Sequence, residues 1–63
     1  MGIENYKFMK MEEYIRKYCR NSFHRFQSKQ LRFEFAQDAY NDIFTYFDDK
    51  NKVIIIERSY IGD

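Results

Sequence analysis

The chain has 63 residues, 33% of them charged, yet a formal net charge of only +1, and Phe and Tyr supply 13 of the 63. A chain this short makes at most one small domain. It buries only about 60% of the surface its unfolded form exposes, so it is marginal without a disulfide, a metal or self-association. Cys19 is the sole cysteine and His24 the sole histidine, which excludes an intrachain disulfide and a Cys- or His-built zinc site, and leaves an aromatic core and self-association.

The opening residues Met1-Gly2-Ile3-Glu4-Asn5-Tyr6-Lys7 lack the basic-then-apolar order of a signal peptide, and Tyr6 stands where a myristoylation signal has Ser or Thr. No stretch approaches the roughly 18 apolar residues of a membrane span. With an unpaired cysteine, the expectation is a cytoplasmic protein without a membrane partner.

Asn5 to Arg20 is expected to be a helix. Phe8, Met11, Ile15, Tyr18 and Cys19 recur at spacings of three and four, which places them on one face. Asn5 is the expected N-cap, and Asn21, tolerant of the left-handed conformation, the expected stop. Glu12–Arg16 and Glu13–Lys17 are i,i+4 pairs in the favoured order. Ser22 to Gln30 reads as a connector carrying Phe23 and Phe26, with room for an extra helical turn. Leu31-Arg32-Phe33-Glu34-Phe35 alternates without a break, the pattern of a strand with one buried and one wet face.

Residues 42–48 include the run Ile43-Phe44-Thr45-Tyr46-Phe47, rich in strand formers, although a helical stripe with Asp38 as cap also fits. Val53-Ile54-Ile55-Ile56 follows after a polar cluster, so the two runs read as a hairpin with Asp49-Lys50-Asn51 as loop and Asn51 left-handed. The expected fold is therefore α+β: an N-terminal helix on a three-stranded antiparallel β-meander of strands near 30–36, 42–48 and 52–59. The alternative is α-β-α-β with residues 38–48 helical.

The hairpin is apolar on both faces. With Asp48 opposite Lys52, one face carries Ile43, Thr45, Phe47, Val53 and Ile55, and the other Phe44, Tyr46, Ile54 and Ile56. One helix covers one face. The expected partner-binding surface is thus Phe44, Tyr46, Ile54 and Ile56, with Tyr60 beside them, unless Phe23, Phe26, Tyr60 and Ile61 fold over it. A second route is backbone pairing along Val53 to Arg58, should that strand lie at the edge of the sheet.

Chemistry is sparse. His24 has no carboxylate placed to orient it, Cys19 lies on the apolar stripe, and the pairs Asp38/Asp42 and Asp48/Asp49 read as solvated turn formers. There is no Pro, and the only glycines are Gly2 and Gly62, so no Gly-rich loop cradles a phosphate. No catalytic residue, metal, cofactor or small-molecule substrate is expected. Residues 1–34 hold eight Lys/Arg against four Glu, and residues 35–63 three against six Asp/Glu, opposite signs that suit charge-guided docking. Phe, Tyr, Met, Ile, Asn and Lys, all with AT-rich codons, make up 33 of the 63 residues, which suits a low-GC bacterium or a mobile element within one.

The expected function is a non-enzymatic protein-interaction module, an inhibitor or adaptor of phage or mobile-element type that homodimerises or binds a larger protein. The alternative is a nucleic-acid-binding regulator using Arg16, Lys17, Arg20, Arg25, Lys29 and Arg32, with Phe23 and Phe26 interleaved for stacking.

Overall fold

The computed structural model describes residues 4–60, apart from the side chain of Tyr60. Ile61 and the Tyr60 ring, both invoked above as a cover or contact, lie outside the described residues. The elements are β1 (Lys7–Met9), α1 (Met11–Tyr18), α2 (Phe23–Gln27), β2 (Arg32–Asp38), β3 (Asn41–Asp48) and β4 (Val53–Tyr60). The α+β class and the antiparallel β2-β3-β4 meander are as expected, and residues 42–48 are strand. One strand was not foreseen: β1 pairs parallel with β4, giving a four-stranded mixed sheet of order β1-β4-β3-β2.

The expected helix over 5–20 is thus too long at its start. Phe8 belongs to β1, beside Ile54, and Asn5 caps nothing. Helix α1 begins after Lys10, whose side chain makes no cap. The first helical N–H is satisfied from far away in the sequence: Met11 N donates to Glu57 Oε2 at 2.7 Å. A carboxylate there also opposes the positive end of the helix dipole. The chain leaves α1 through Arg20 and Asn21, both left-handed, with Asn21 N donating back to Ile15 O at 3.1 Å. The connector does form a further helix, α2, capped by Ser22 Oγ, which accepts from Arg25 N.

Both helices lie on one face of the sheet. Their cluster joins Met9, Tyr14, Cys19 and Phe26 to Val53 and Ile55, with Ile15, Leu31 and Tyr46 packed at its margin. Tyr14, absent from the expected stripe, is its centre: it is fully buried, and its hydroxyl donates to Asp48 Oδ2. Cys19 is a buried core residue, as its position on the stripe implied.

Hairpin register decides everything about the faces. Asp48 sits opposite Val53 and Phe47 opposite Ile54, one residue away from the expected pairing. Such a slip turns one strand over relative to the other. Phe44 and Tyr46 therefore share the helix side with Val53 and Ile55, while Ile43, Thr45 and Phe47 share the opposite side with Ile54 and Ile56. The cause is the turn. Asp48 accepts hydrogen bonds from Asn51 N (3.0 Å) and Asn51 Nδ2 (2.9 Å), and Lys52, rather than Asn51, takes the left-handed conformation. This closes a loop of four residues where three were expected.

Asp48 is accordingly buried, not a solvated turn former. Its neighbour Asp49 stays exposed but clamps strand to strand: it accepts from Arg32 Nε (2.8 Å), Arg32 Nη2 (2.9 Å) and the Tyr6 hydroxyl (2.5 Å).

Candidate interaction surface

The helical layer stops short of the sheet's far edge. Along the row Ile55–Tyr46–Phe33 on the helix face, Ile55 is fully buried, Tyr46 is half-buried under Phe26, and Phe33 is 50% exposed. The next row, Glu57–Phe44–Phe35, ends on a ring that is 53% exposed. Strand β2 therefore has the expected alternation, with Phe33 and Phe35 on one side and Arg32 and Glu34 on the other, yet its apolar side is not buried.

The rings form one connected series. Tyr14 meets Phe26 edge-on (5.8 Å between centroids), and Phe26 meets Tyr46 edge-on (5.2 Å). Tyr46 lies against Phe33 (4.9 Å), and Phe33 and Phe35 flank Phe44 at 6.1 and 5.3 Å. Phe23 stacks on Phe26 at 6.0 Å and is itself half exposed. Where this series passes from core to solvent, an open groove of about 360 Å³ lies between Met11, Phe23, Phe26, Leu31 and Tyr46. Aromatic rings in such offset and edge-on geometries supply large area with little loss of side-chain freedom, the composition favoured at recognition surfaces.

The structure divides the residues expected to bind a partner. Phe44 is in this series at its exposed end, and Tyr46 is at the point where it enters the core. Ile54 and Ile56 are on the other side of the sheet, where Ile54 is buried between Phe8 and Phe47 and Ile56 is 40% exposed. Sequence reasoning missed Phe33 and Phe35 as surface residues. The signal was present in the unbroken alternation of 31–35, but alternation does not say whether the apolar side meets this chain or another. The backbone route through Val53–Arg58 is closed, because β4 is internal, with β1 on one side and β3 on the other.

The six cations of the alternative reading are not gathered on one surface. Arg16, Lys17, Arg20, Arg25 and Lys29 belong to the helical layer, where Lys17 and Lys29 lie over the Tyr18 and Tyr14 rings. Arg32 lies on the opposite face, over the Phe47 ring and bound to Asp49, and Phe26 is buried rather than free to stack.

Two carboxylates have shifted titration. Burial alone would raise Asp48, but hydrogen bonds from Tyr14 and Asn51 outweigh it and hold the carboxyl below its ordinary range. Burial, then the hydrogen bond to Asp48, pushes the Tyr14 hydroxyl well up, so it remains a donor. Asp49 is held low by the Arg32 fork and the Tyr6 hydroxyl. Both sets of bonds tie the β3–β4 turn to its surroundings. Among the described residues, no group of three or more His, Cys, Asp or Glu is placed to hold a metal ion, and no helix is long and apolar enough to cross a membrane.

Comparison with known proteins finds no matching family, no similar curated protein and no similar solved structure.

Proposed function

We propose that this chain is a small, non-enzymatic protein-interaction module, of inhibitor or adaptor type, and that it works through the aromatic surface of Phe23, Phe33, Phe35 and Phe44. One observation carries the reading: the apolar side of β2, written into the sequence by strict alternation, is half exposed where the helical layer ends. Apolar burial is worth about 25 cal/mol per Å², so leaving several Phe rings wet forgoes several kcal/mol that a partner surface would recover. Contiguous exposed apolar patches on small proteins mark interaction sites.

Site-specific photocrosslinking in the source organism tests this. A photoreactive residue at position 35 or 44 is expected to give one dominant protein adduct, and the same residue at position 58, on the reverse face of the internal strand β4, none. Equal labelling from both faces, or none from either, would overturn the assignment.

A further inference from the structure

The two edges of the sheet differ. One is β1, three residues long; the other is β2, seven residues long and exposed throughout. A long, unblocked edge is a template for another strand. Natural proteins guard such edges with Pro, bulges or inward charges, and β2 has no Pro and pairs with β3 residue by residue without a bulge.

Resting on the interaction reading above, we propose that the partner at this edge is a second copy of the chain, its β2 pairing antiparallel with the first across a two-fold axis at Phe35. The register follows from the residues. A two-fold axis normal to the sheet must pass through one residue position, and centring it on Phe35 uses the full length of Arg32–Asp38. Arg32 then faces Asp38 of the second copy, twice by symmetry. Phe35 faces its own counterpart, Phe33 faces Gln37, and Glu34 faces Ala36. Centring on Glu34 would instead oppose two like charges, and centring on Ala36 would oppose Glu34 to Asp38; direct like-charge pairs are unfavourable.

Backbone geometry agrees. The two-residue turn Ala39-Tyr40 closes on the pair Asp38–Asn41, and in such a turn the closing pair exchanges backbone hydrogen bonds. Pairs alternate from there, so Phe33, Phe35 and Gln37 turn their N–H and C=O groups to the free edge. In the proposed register these groups meet only each other, Phe35 with Phe35 and Phe33 with Gln37, giving about six new hydrogen bonds.

Side-chain capacity agrees as well. Arg32 spends Nε and one Nη2 proton on Asp49, which leaves Nη1 and the other Nη2 proton for a second carboxylate. Asp38 spends Oδ1 on Ala39 N, which leaves Oδ2. The axis also brings the two exposed Phe35 rings together on the helix face.

Sedimentation of the full chain from micromolar to millimolar concentration is expected to show a dimer. Arg32→Glu and Asp38→Lys, each alone, are expected to weaken it about tenfold or more, because each makes two like-charge contacts. Mixing the two variants is expected to restore a dimer, since the new carboxylate at 32 meets the new ammonium at 38 while the untouched Arg32 meets the untouched Asp38. Restoration also shows that both variants fold. Amide exchange on wild type gives a variant-free readout: protection of Phe33, Phe35 and Gln37 should rise with concentration. A monomer at millimolar concentration, no restoration on mixing, or concentration-independent exchange at these amides would overturn the dimer. A monomer whose position 35 still crosslinks to a different protein would overturn the dimer alone and leave the interaction reading standing.

Discussion

Strands β4 and β2 both carry large apolar side chains, and the fold treats those side chains oppositely. Val53, Ile54 and Ile55 of β4 are at most 2% exposed, whereas every residue of β2 is exposed. Apolarity of the side chains does not explain the difference, since Phe33 and Phe35 are as apolar as Val53 to Ile55; position in the sheet does. Strand β4 has a neighbour on each side and α1 above it, while β2 is an edge beyond the reach of either helix. At about 1.5 Å per residue, α1 spans only about 12 Å, whereas strands of eight residues run about 26 Å. So small a helical layer shields one half of a four-stranded sheet and leaves the apolar side of the other half exposed.

The sharpest way to break this contrast is to remove the centre of the covered half. Tyr14→Ala is expected to cost about 3–5 kcal/mol, comparable to the whole stability of so small a domain, and to give a chain without a cooperative thermal transition. Tyr14→Phe keeps the ring and leaves the buried Asp48 one donor short; a loss of about 1–3 kcal/mol is expected by denaturant unfolding.

The same variant has a signature in pH. Asp48 is held below its ordinary value in the folded chain, so it contributes stability that is fully present above the unfolded carboxylate pKa of about 3.9 and is lost as pH falls through the lower folded value. Tyr14→Phe should therefore flatten the fall in stability below about pH 4. An unchanged acid limb would mean that Asp48 draws little from the tyrosine.

Glu57→Gln tests the long-range cap of α1 and should cost roughly 0.5–2 kcal/mol, visible as an earlier thermal midpoint. On the exposed half the expected stability effects are smallest. Phe33→Ser and Phe35→Ser should each change folding free energy by only about 0.5–1 kcal/mol while abolishing partner capture, which is the reverse of the Tyr14 pattern. If the Phe variants unfold the chain instead, the aromatic series belongs to the core and β2 is no less structural than β4.

Much of the fold was legible. The strand runs at Leu31–Phe35, Ile43–Phe47 and Val53–Ile56 follow from alternation and β-branched density, and the buried Cys19 follows from helical spacing. Strand β1 was hidden because Lys7-Phe8-Met9 is too short to show a period and fits a helical stripe equally well. The exposed apolar surface was legible in amount but not in place. An excess of apolar surface was visible, but assigning it to Phe44, Tyr46, Ile54 and Ile56 depended on a hairpin register that the Asp48–Asn51 turn shifts by one residue.

The amino-acid order alone set what is local: which runs extend, where the polar turns fall, and that there is more apolar surface than one short helix can hide. Tertiary structure alone decided which surface remains. Register, strand order and the Glu57 cap join residues tens of positions apart, and no local pattern encodes them. They arise when the helical layer settles over β4 and Tyr14 reaches Asp48, and that choice leaves the Phe33–Phe35 edge in water.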